Sequence, residues 1–329
     1  MFFVKFIKKI IWMNGRHFQV YKLYFSKGEN KMLKVENITK YYNKTKAVDN
    51  LSFTVEKGEI FGLLGENGAG KTTTFRIILG LINASSGNVT LDGKKIDYSL
   101  TDKIGYVTEE RSLLTKTTVK DQILLYGVLK GMSEDNILKE MRKWLKKFQI
   151  SDYENRKIKE LSKGNQQKIQ FIAAVINKPK LLILDEPFSG LDPINVEMLK
   201  KAIIELQETG CSIIFSSHQM EQIEDFCEKL VILSHGKVVV AGYLKDIKNE
   251  YRKKNILLRG DNLPLDKIRK PKGVISLEEH RGEYLVKIES LDIADSIFKL
   301  VKDYNITKYD VTEPTLNEIF IEKVGANND

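Results

Sequence analysis

The sequence predicts an α/β fold with two domains, and three observations lead to it. Uninterrupted apolar runs, such as residues 181–184 and 230–233, are typical of buried parallel strands. A glycine-rich segment, residues 65–70, directly follows another such run and precedes a helical pattern. Further along the chain these features end and charge density rises. We therefore expect a large domain at 32–245 and a small α+β domain at 250–329.

The large domain begins with strand-rich sequence and continues with strands and helices. Residues 112–165 differ, because apolar residues there recur at helical spacing, which predicts a helical insertion into the α/β core. Helices are expected at 119–129 and 133–148 in the insertion and at 72–81 in the core. The predicted strands are 33–38, 47–55, 60–64, 87–91, 104–107, 181–184, 211–216 and 230–233.

The C-terminal pattern runs strand, short helix, two strands, helix, strand and closing helix. Its middle strands flank an Arg281-Gly282 turn. This order is typical of a ferredoxin-like module. The predicted elements are strands at 255–259, 274–279, 284–288 and 306–311 and helices at 291–301 and 315–324.

The composition limits the classes of function. No stretch approaches the ~20 consecutive apolar residues of a membrane-spanning helix. The net charge is +9, but residues 1–31 contribute +6 of it, which leaves +3 for the remaining chain. Positive and negative charges thus nearly balance in residues 32–329, and this part of the chain does not support nucleic-acid binding. Cys211 and Cys227 do not indicate a disulfide framework, and we expect reduced cytosolic thiols.

Residues 1–31 have three readings. Residues 2–13 mix aromatic residues with lysines and suit a short amphipathic helix on a membrane surface. As a signal peptide the segment is poor, because lysines interrupt its apolar run and no small-residue cleavage site follows. In the third reading, translation starts at Met32, since residues 27–31 can be encoded by a ribosome-binding sequence upstream of it. We expect the third reading, in which 1–31 are a mis-assigned or disordered extension.

The glycine-rich segment lies between a predicted strand and a predicted helix, which is the context of a phosphate-binding loop. Its glycines let backbone N–H groups converge on phosphate oxygens, and the helix adds its positive end to this anion site. Lys71 is expected to bridge the β- and γ-phosphates of ATP, and Thr72 to bind Mg²⁺. The residues expected to hold the nucleotide here are Gly65, Glu66, Asn67, Gly68, Ala69, Gly70, Lys71, Thr72 and Thr73.

Two adjacent acids, Asp185 and Glu186, follow the apolar run 181–184. The carboxyl ends of parallel strands are where open α/β sheets bind ligands. Asp185 is expected to bind Mg²⁺, directly or through water, and Glu186 to polarise the water that attacks the γ-phosphate. In the plainer alternative, the two acids only cap a helix. Together with the phosphate loop they predict a P-loop ATPase.

The segment Leu161-Ser162-Lys163-Gly164-Asn165-Gln166 resembles the LSGGQ signature of the ATP-binding subunits of ABC transporters. The resemblance covers about residues 33–245 and implies a P-loop ATPase core with an antiparallel β subdomain and a helical insertion. In that family the signature binds the γ-phosphate of ATP held by the opposite subunit, through a helix N-terminus. The residues to which this role is carried over are Ser162, Lys163, Gly164 and Asn165.

Three further positions match the family. Residues 189–192 resemble the D-loop, which implies that Asp192 takes part in joining the two ATP sites across a dimer. His218 follows a predicted strand about 32 residues beyond Glu186 and resembles the switch histidine that contacts the γ-phosphate and positions the water. Tyr42 matches the aromatic residue that stacks on adenine, with Tyr41 as a neighbour that is easily confused with it.

Three positions depart from the family pattern. Glu109 stands where the family usually has a glutamine that ligates Mg²⁺ and reports the nucleotide state to the membrane partner. Glutamate also ligates Mg²⁺, but it adds a negative charge near the phosphates. Lys163 replaces a glycine, and two readings stay open: it attracts the γ-phosphate of the opposite site, or it points to solvent. Asn165 replaces a glutamine and keeps the amide donor on a shorter stem.

The C-terminal segment 311–321 resembles the end of a bacterial exporter-type subfamily. That subfamily includes ATP-binding subunits of sodium-efflux and of antibiotic- or peptide-export systems. The resemblance implies an ATPase at the cytoplasmic face of the cell membrane, peripheral to a separately encoded integral membrane permease and paired with a second ATPase subunit in a homodimer. It implies ATP and Mg²⁺ as cofactors, and no nucleic-acid partner.

Two alternatives remain beside the exporter. A non-transport ABC ATPase that acts on ribosomes or DNA carries two motif sets or a long coiled coil, whereas this chain has one set with Lys71 and Asp185 about 114 residues apart. A further reading makes the small domain a sensor that regulates the ATPase, although fold analogy is weak support for a function.

Overall fold

The structure is a computed structural model that describes residues 9–13, 16–20, 31–110, 112–251 and 253–325. Strands β1 (Lys9–Met13) and β2 (Arg16–Val20) pair in an antiparallel two-stranded sheet. The amphipathic-helix reading is therefore wrong for Lys9–Met13, where β-branched and aromatic residues favour an extended backbone. The rest of that reading, at residues 2–8, lies outside the described residues, as do residues 1, 14, 15 and 21–30.

The chain divides into two compact units between Ala241 and Gly242, a few residues before the predicted boundary, and the last strand of the first unit continues two residues past this point, to Tyr243. Three short 3₁₀ segments, Tyr98–Lys103, Ser151–Tyr153 and Ile158–Glu160, connect longer elements. From residue 31 the elements of the first unit are β3 (Lys31–Tyr42), β4 (Thr45–Glu56), β5 (Ile60–Gly65), α1 (Lys71–Ile78), β6 (Ser86–Leu91), β7 (Lys94–Lys95), β8 (Ile104–Val107), α2 (Val119–Leu129), α3 (Glu134–Lys147), α4 (Lys163–Val175), β9 (Leu181–Asp185), α5 (Pro193–Glu208), β10 (Ser212–Ser217), α6 (Met220–Glu224), β11 (Lys229–Ser234) and β12 (Lys237–Tyr243).

The core of the first unit is a six-stranded sheet with the order β12-β11-β5-β10-β9-β8. Strands β8, β9, β10, β5 and β11 pair in parallel, as expected for fully buried apolar strands. Because these strands run the same way, their carboxyl ends meet at one edge of the sheet. That edge carries Gly65, Asp185 and Ser217 as the last residues of β5, β9 and β10.

A second sheet, of order β4-β3-β6-β7, is antiparallel throughout. It packs on the central sheet through one continuous hydrophobic core. Phe53 of β4 stacks on Phe61 of β5, with ring centroids 4.8 Å apart, and Phe75 of α1 is fully buried in the same core. The predicted α/β core with an antiparallel β subdomain is confirmed.

Helices α2 and α3 form the predicted insertion between β8 and β9. They approach closely at Gly127, where an added Cβ would lie 2.5 Å from Ile137 Cγ1. An aromatic cluster of Trp144, Phe148 and Phe171 joins α3 to α4. Since α4 begins at the signature, this cluster fixes the signature helix to the insertion.

The second unit is a four-stranded antiparallel sheet of order β14-β15-β13-β16. This order, with helices after the first and third strands, is ferredoxin-like, as predicted. Its core includes Ile256, Val286 and Ile297. Among the described residues, no helix has the length and apolar character needed to cross a bilayer. The elements of this unit are α7 (Leu244–Glu250), β13 (Lys254–Gly260), α8 (Leu265–Ile268), β14 (Val274–His280), β15 (Glu283–Ile288), α9 (Asp292–Val301), β16 (Ile306–Thr312) and α10 (Leu316–Gly325).

Candidate nucleotide site

The loop between β5 and α1 has a backbone that its glycines permit. Gly65, Gly68 and Gly70 have φ angles of 147°, 82° and 107°, all in the region that favours glycine. A Cβ at Gly65 would lie 2.4 Å from Leu233 O, and one at Gly70 would lie 2.5 Å from Ala47 O. Gly70 caps α1 without a side-chain hydrogen bond, so N–H groups of the first turn are available to an anion.

Lys71 is held inside this loop rather than extended into solvent. Its Nζ donates to Gly65 O at 2.5 Å and to Glu66 O at 3.3 Å, and only 7% of its side chain is exposed. Glu66 and Asn67 stand exposed at the tip of the loop, and Ala69 is buried beneath it. The loop therefore places one cation beneath a set of backbone N–H groups, an arrangement that suits phosphate oxygens.

Asp185 lies beside the start of α1. Its Oδ1 accepts a hydrogen bond from Ser216 Oγ at 2.7 Å, and its Oδ2 lies 3.4 Å from Thr72 Oγ1 and 3.5 Å from Tyr106 OH. Burial raises the pKa of Asp185 above its usual value, although the Ser216 hydrogen bond and the charge of Lys71 oppose this. Burial and the neighbouring Asp185 carboxylate raise the pKa of the Tyr106 phenol.

Glu186 is a buried carboxylate with its two oxygens in different surroundings. Its Oε2 lies 2.9 Å from His218 Nδ1 and accepts from Ser217 Oγ at 3.4 Å. Its Oε1 lies 3.8 Å from Lys71 Nζ and has no hydrogen-bond partner within the described part of the chain. The backbone of Glu186 is left-handed, with φ of 50°, and its N–H donates to Ser216 O at 3.2 Å.

The signature residues lie at the N-terminus of α4. Ser162 caps the helix, its Oγ accepting from Asn165 N at 3.3 Å. Gly164 is buried, and a Cβ there would lie 2.7 Å from Asn195 Nδ2. Lys163 is exposed and Asn165 is half-buried.

Asp192 caps the next long helix, α5. Its Oδ1 accepts from Asn195 N at 3.0 Å, and Asn195 Nδ2 donates to Oδ2. These hydrogen bonds from Asn195 hold the pKa of Asp192 below its usual range. Asn195 thus contacts both the D-loop aspartate and the signature glycine.

The predicted residues fall into two groups. The phosphate loop, Asp185, Glu186 and His218 form one cluster. The signature residues and Asp192 form another, and no hydrogen bond or ion pair among the described residues joins it to the first. Glu109 is exposed in the loop after β8, near enough to Asp185 for its charge to raise the pKa of that carboxyl.

The two tyrosines near the end of β3 are similarly exposed. Tyr42 is 43% exposed and Tyr41 46%. Lys40 Nζ lies 5.4 Å from the Tyr42 ring centroid, and Lys46 Nζ lies 5.5 Å from that of Tyr41. Exposure and lysine contacts therefore do not distinguish the two rings, and Tyr42 stays the sequence-based prediction.

Three contacting residues carry no predicted role. Tyr106, Ser216 and Ser217 reach the acids from β8 and β10, the strands on either side of β9. The signal available in the sequence is their position, since polar residues that end a parallel strand face the same edge as Asp185.

The fold and this cluster define a P-loop ATPase. A family model described as "ABC transporter" matches residues 48–189, and one described as "ATP-binding protein DrrA1-3-like, C-terminal domain" matches residues 242–324. The uncharacterized ABC transporter ATP-binding protein YhaQ of Bacillus subtilis is 49% identical over 296 residues, which cover 90% of this chain and 99% of that protein.

Two more proteins extend the comparison. The linearmycin resistance ATP-binding protein LnrL of Bacillus subtilis is 32% identical over 306 residues, covering 89% of this chain and 98% of that protein. A dimeric post-hydrolysis structure of the ATP-binding cassette MJ0796 bound to ADP and Pi is 27% identical, with a TM-score of 0.60, over 65% of this chain and 99% of that chain. The chain belongs to the ATP-binding subunits of ABC transporters. It binds ATP and is an ATPase, and subunits of this family generally dimerise and pair with membrane permeases.

Proposed function

We propose that Glu186 is the general base of ATP hydrolysis. The observation that carries this proposal is the asymmetry of its carboxylate. One oxygen is hydrogen-bonded to Ser217 and contacts His218, whereas Oε1 has no hydrogen-bond partner among the described residues. A positioned carboxylate oxygen with a free lone pair can accept the proton of a water that attacks the γ-phosphate. His218, which is half exposed, holds this carboxylate and reaches the γ-phosphate from the open side.

The phosphates of ATP bind the loop between β5 and α1. Lys71 leaves its two carbonyl partners to bridge the β- and γ-phosphates, and the N–H groups of residues 65–73 surround them. The adenine stacks on Tyr42.

Mg²⁺ fits the oxygen atoms beside this loop. The Thr72 hydroxyl and the Asp185 carboxylate lie 3.4 Å apart, and Glu109 brings a second carboxylate near Asp185. Hydroxyl and carboxylate oxygens together with substrate phosphates are the ligands that Mg²⁺ prefers. When bound, the ion neutralises charge on the phosphates of ATP.

A second copy of the chain completes the site. The signature residues and Asp192 are separate from the phosphate loop of their own chain, and each chain carries one set of both. A two-fold symmetric homodimer lets the signature of each subunit face the ATP of the other. ATP then favours the closed dimer through its higher affinity for that state, and hydrolysis reopens it.

The dimer drives export through a separate membrane permease, to which it binds at the cytoplasmic face. The C-terminal family match and the relative named for linearmycin resistance support an antibiotic as the substrate. Sodium and peptides are the competing substrates.

Affinity capture tests this proposal. The Glu186→Gln protein, loaded with ATP, is recovered from detergent-solubilised membranes, and a stoichiometric multi-span membrane protein is expected with it. Deletion of the gene is expected to lower tolerance to an antibiotic, and only the wild-type gene is expected to restore it. Recovery of ribosomes or DNA-bound factors instead of a membrane protein would reject the transport role. If deletion of the gene lowers only the tolerance to sodium, an antibiotic is rejected as the substrate.

A further inference from the structure

Helix α4 begins at the signature and carries buried glutamines that reach other segments of the chain. Gln167 is 3% exposed, and its Nε2 donates to Pro187 O at 3.2 Å. Pro187 directly follows Glu186. One side chain of the signature helix therefore holds the backbone next to the proposed general base.

Gln170 makes a similar contact on another segment. Its Nε2 donates to Thr108 Oγ1 at 2.8 Å and to Thr108 O at 3.1 Å, and it lies 3.5 Å from Glu110 O. Thr108 and Glu110 flank Glu109 on both sides. The same helix thus holds the backbone around Glu109, the second carboxylate near Asp185.

The orientation of both amides is fixed by their partners. A carbonyl oxygen only accepts hydrogen bonds, so the group that faces Pro187 O or Thr108 O must be the NH₂ group. Gln170 is 6% exposed, and its Oε1 has no hydrogen-bond partner in the part of the chain that the structure describes. An incompletely bonded buried amide costs free energy that an apolar side chain would not. The benefit of Gln170 therefore lies in what its NH₂ group holds.

The spacing of the two glutamines places both on one face of the helix. Residues three apart are neighbours on an α-helix, so Gln167 and Gln170 move together when the helix moves. Gln166 extends the contact toward the signature, since its Nε2 donates to Ile158 O at 3.1 Å and to Leu161 O at 3.2 Å. The signature and the two acid-bearing segments are thus bonded to one rigid element.

We propose that α4 connects the two ATP sites of the dimer, with Gln167 and Gln170 as its positioning residues. The inference rests on the proposed function, in which the signature of one subunit binds the ATP of the other. Contact between the signature and the partner's γ-phosphate fixes the N-terminus of α4. Gln167 and Gln170 then fix the Glu186 and Glu109 segments of the same chain for hydrolysis of its own ATP.

A double-mutant cycle on the full-length protein tests this link. Ser162→Ala weakens contact of the signature with the partner's ATP, and Gln170→Met removes the amide but keeps an unbranched side chain. Ser162 and Gln170 are eight residues apart, roughly 12 Å along the helix, a separation at which independent effects on free energy normally add. We expect the fold-loss of kcat caused by Ser162→Ala to shrink by about five-fold or more in the Gln170→Met protein, because communicating sites have coupling factors of ~5 to 150. The same result is expected with Gln167→Met.

Gln207→Met is the matched control. Gln207 Nε2 also donates to a backbone carbonyl, Gly58 O at 2.7 Å, but this bond is remote from both acids. Ser162→Ala is expected to keep its full effect on kcat in the Gln207→Met protein, and the affinity for a fluorescent ATP analogue is expected to stay within about two-fold in all the glutamine variants, far below typical coupling factors.

Additive effects of Ser162→Ala in all three backgrounds would overturn the link. Gln170→Glu is a second variant, whose side chain is as long as that of glutamine but places an acceptor oxygen against Thr108 O. In this protein, too, Ser162→Ala must cause a smaller fold-loss of kcat. Turnover by Glu186→Gln is measured alongside. Normal turnover there rejects the proposed base, whereas an inactive Glu186→Gln protein with additive cycles rejects only the role of α4.

Discussion

His218 Nδ1 lies 2.9 Å from Glu186 Oε2. This contact, with the Ser217 hydroxyl, occupies one oxygen of the carboxylate and leaves the other beside Lys71. A hydrogen bond at this distance requires the proton on Nδ1, because an ionised carboxylate only accepts. The second ring nitrogen of His218 is then the one left for the proposed contact with the γ-phosphate.

Glu186→Gln is expected to lower kcat by about 100-fold or more, the usual contribution of a general base. ATP binding is retained, so the variant should accumulate as an ATP-bound dimer. Phosphate release measures the first effect, and light scattering with and without ATP measures the second. Glu208→Gln, which makes the same change at an exposed position of α5, is the control and should behave as wild type. Wild-type turnover by Glu186→Gln would refute its role.

His218→Ala removes the contact that orients Glu186. We expect kcat to fall by about 100-fold, because small misplacements of a catalytic group have effects of this size. The affinity for ATP should change much less, since Lys71 and the phosphate loop are intact. Steady-state kinetics measure kcat, and nucleotide titration measures the affinity for ATP. His280→Ala, in the second unit, is the control. A loss that appears only in affinity would contradict the orienting role.

Lys71→Ala removes the cation beneath the loop. The affinity for ATP is expected to fall at least ten-fold, because a hydrogen bond to a charged group contributes ~1.5–3 kcal/mol. Calorimetric titration measures this, and Lys94→Ala on the exposed strand β7 is the control. An unchanged affinity would count against the assignment of the loop.

Gly70→Ala and Gly68→Ala distinguish steric from backbone effects in the loop. Both glycines have positive φ, but only Gly70 would bring a Cβ against a carbonyl oxygen, while space around Gly68 is open. Gly68→Ala should lower the free energy of unfolding by ~1–2 kcal/mol, the cost of a left-handed alanine, and Gly70→Ala by clearly more. Urea denaturation of both variants measures the difference, and equal losses would contradict the steric account.

Much of the site follows from the sequence because its residues are adjacent in motifs. The phosphate loop and the Asp185-Glu186 pair need only a strand before them to be located. Tyr106, Ser216 and the glutamines of α4 act through contacts between segments far apart in the chain, and the strand order that creates those contacts is not written in any single motif.

The fold was predicted better in its apolar strands than at its margins. Strand β3 continues to Tyr42, beyond the predicted residue 38, because its ladder with β4 persists where side chains turn polar. Strand β12 is not predicted at all, since most of its side chains lie partly or fully exposed at the edge of the sheet. Sequence analysis detects the spacing of apolar residues, and that spacing arises from burial. Exposed elements lack it and are therefore missed.

The left-handed backbone of Glu186 lowers the stability of the folded protein. A non-glycine residue at φ of 50° is strained by ~1–2 kcal/mol, and its carboxylate is buried with one oxygen unbonded. Asparagine tolerates this backbone better and carries no charge. A selection for thermal stability alone would therefore favour Asn at position 186, at the expense of the proposed general base.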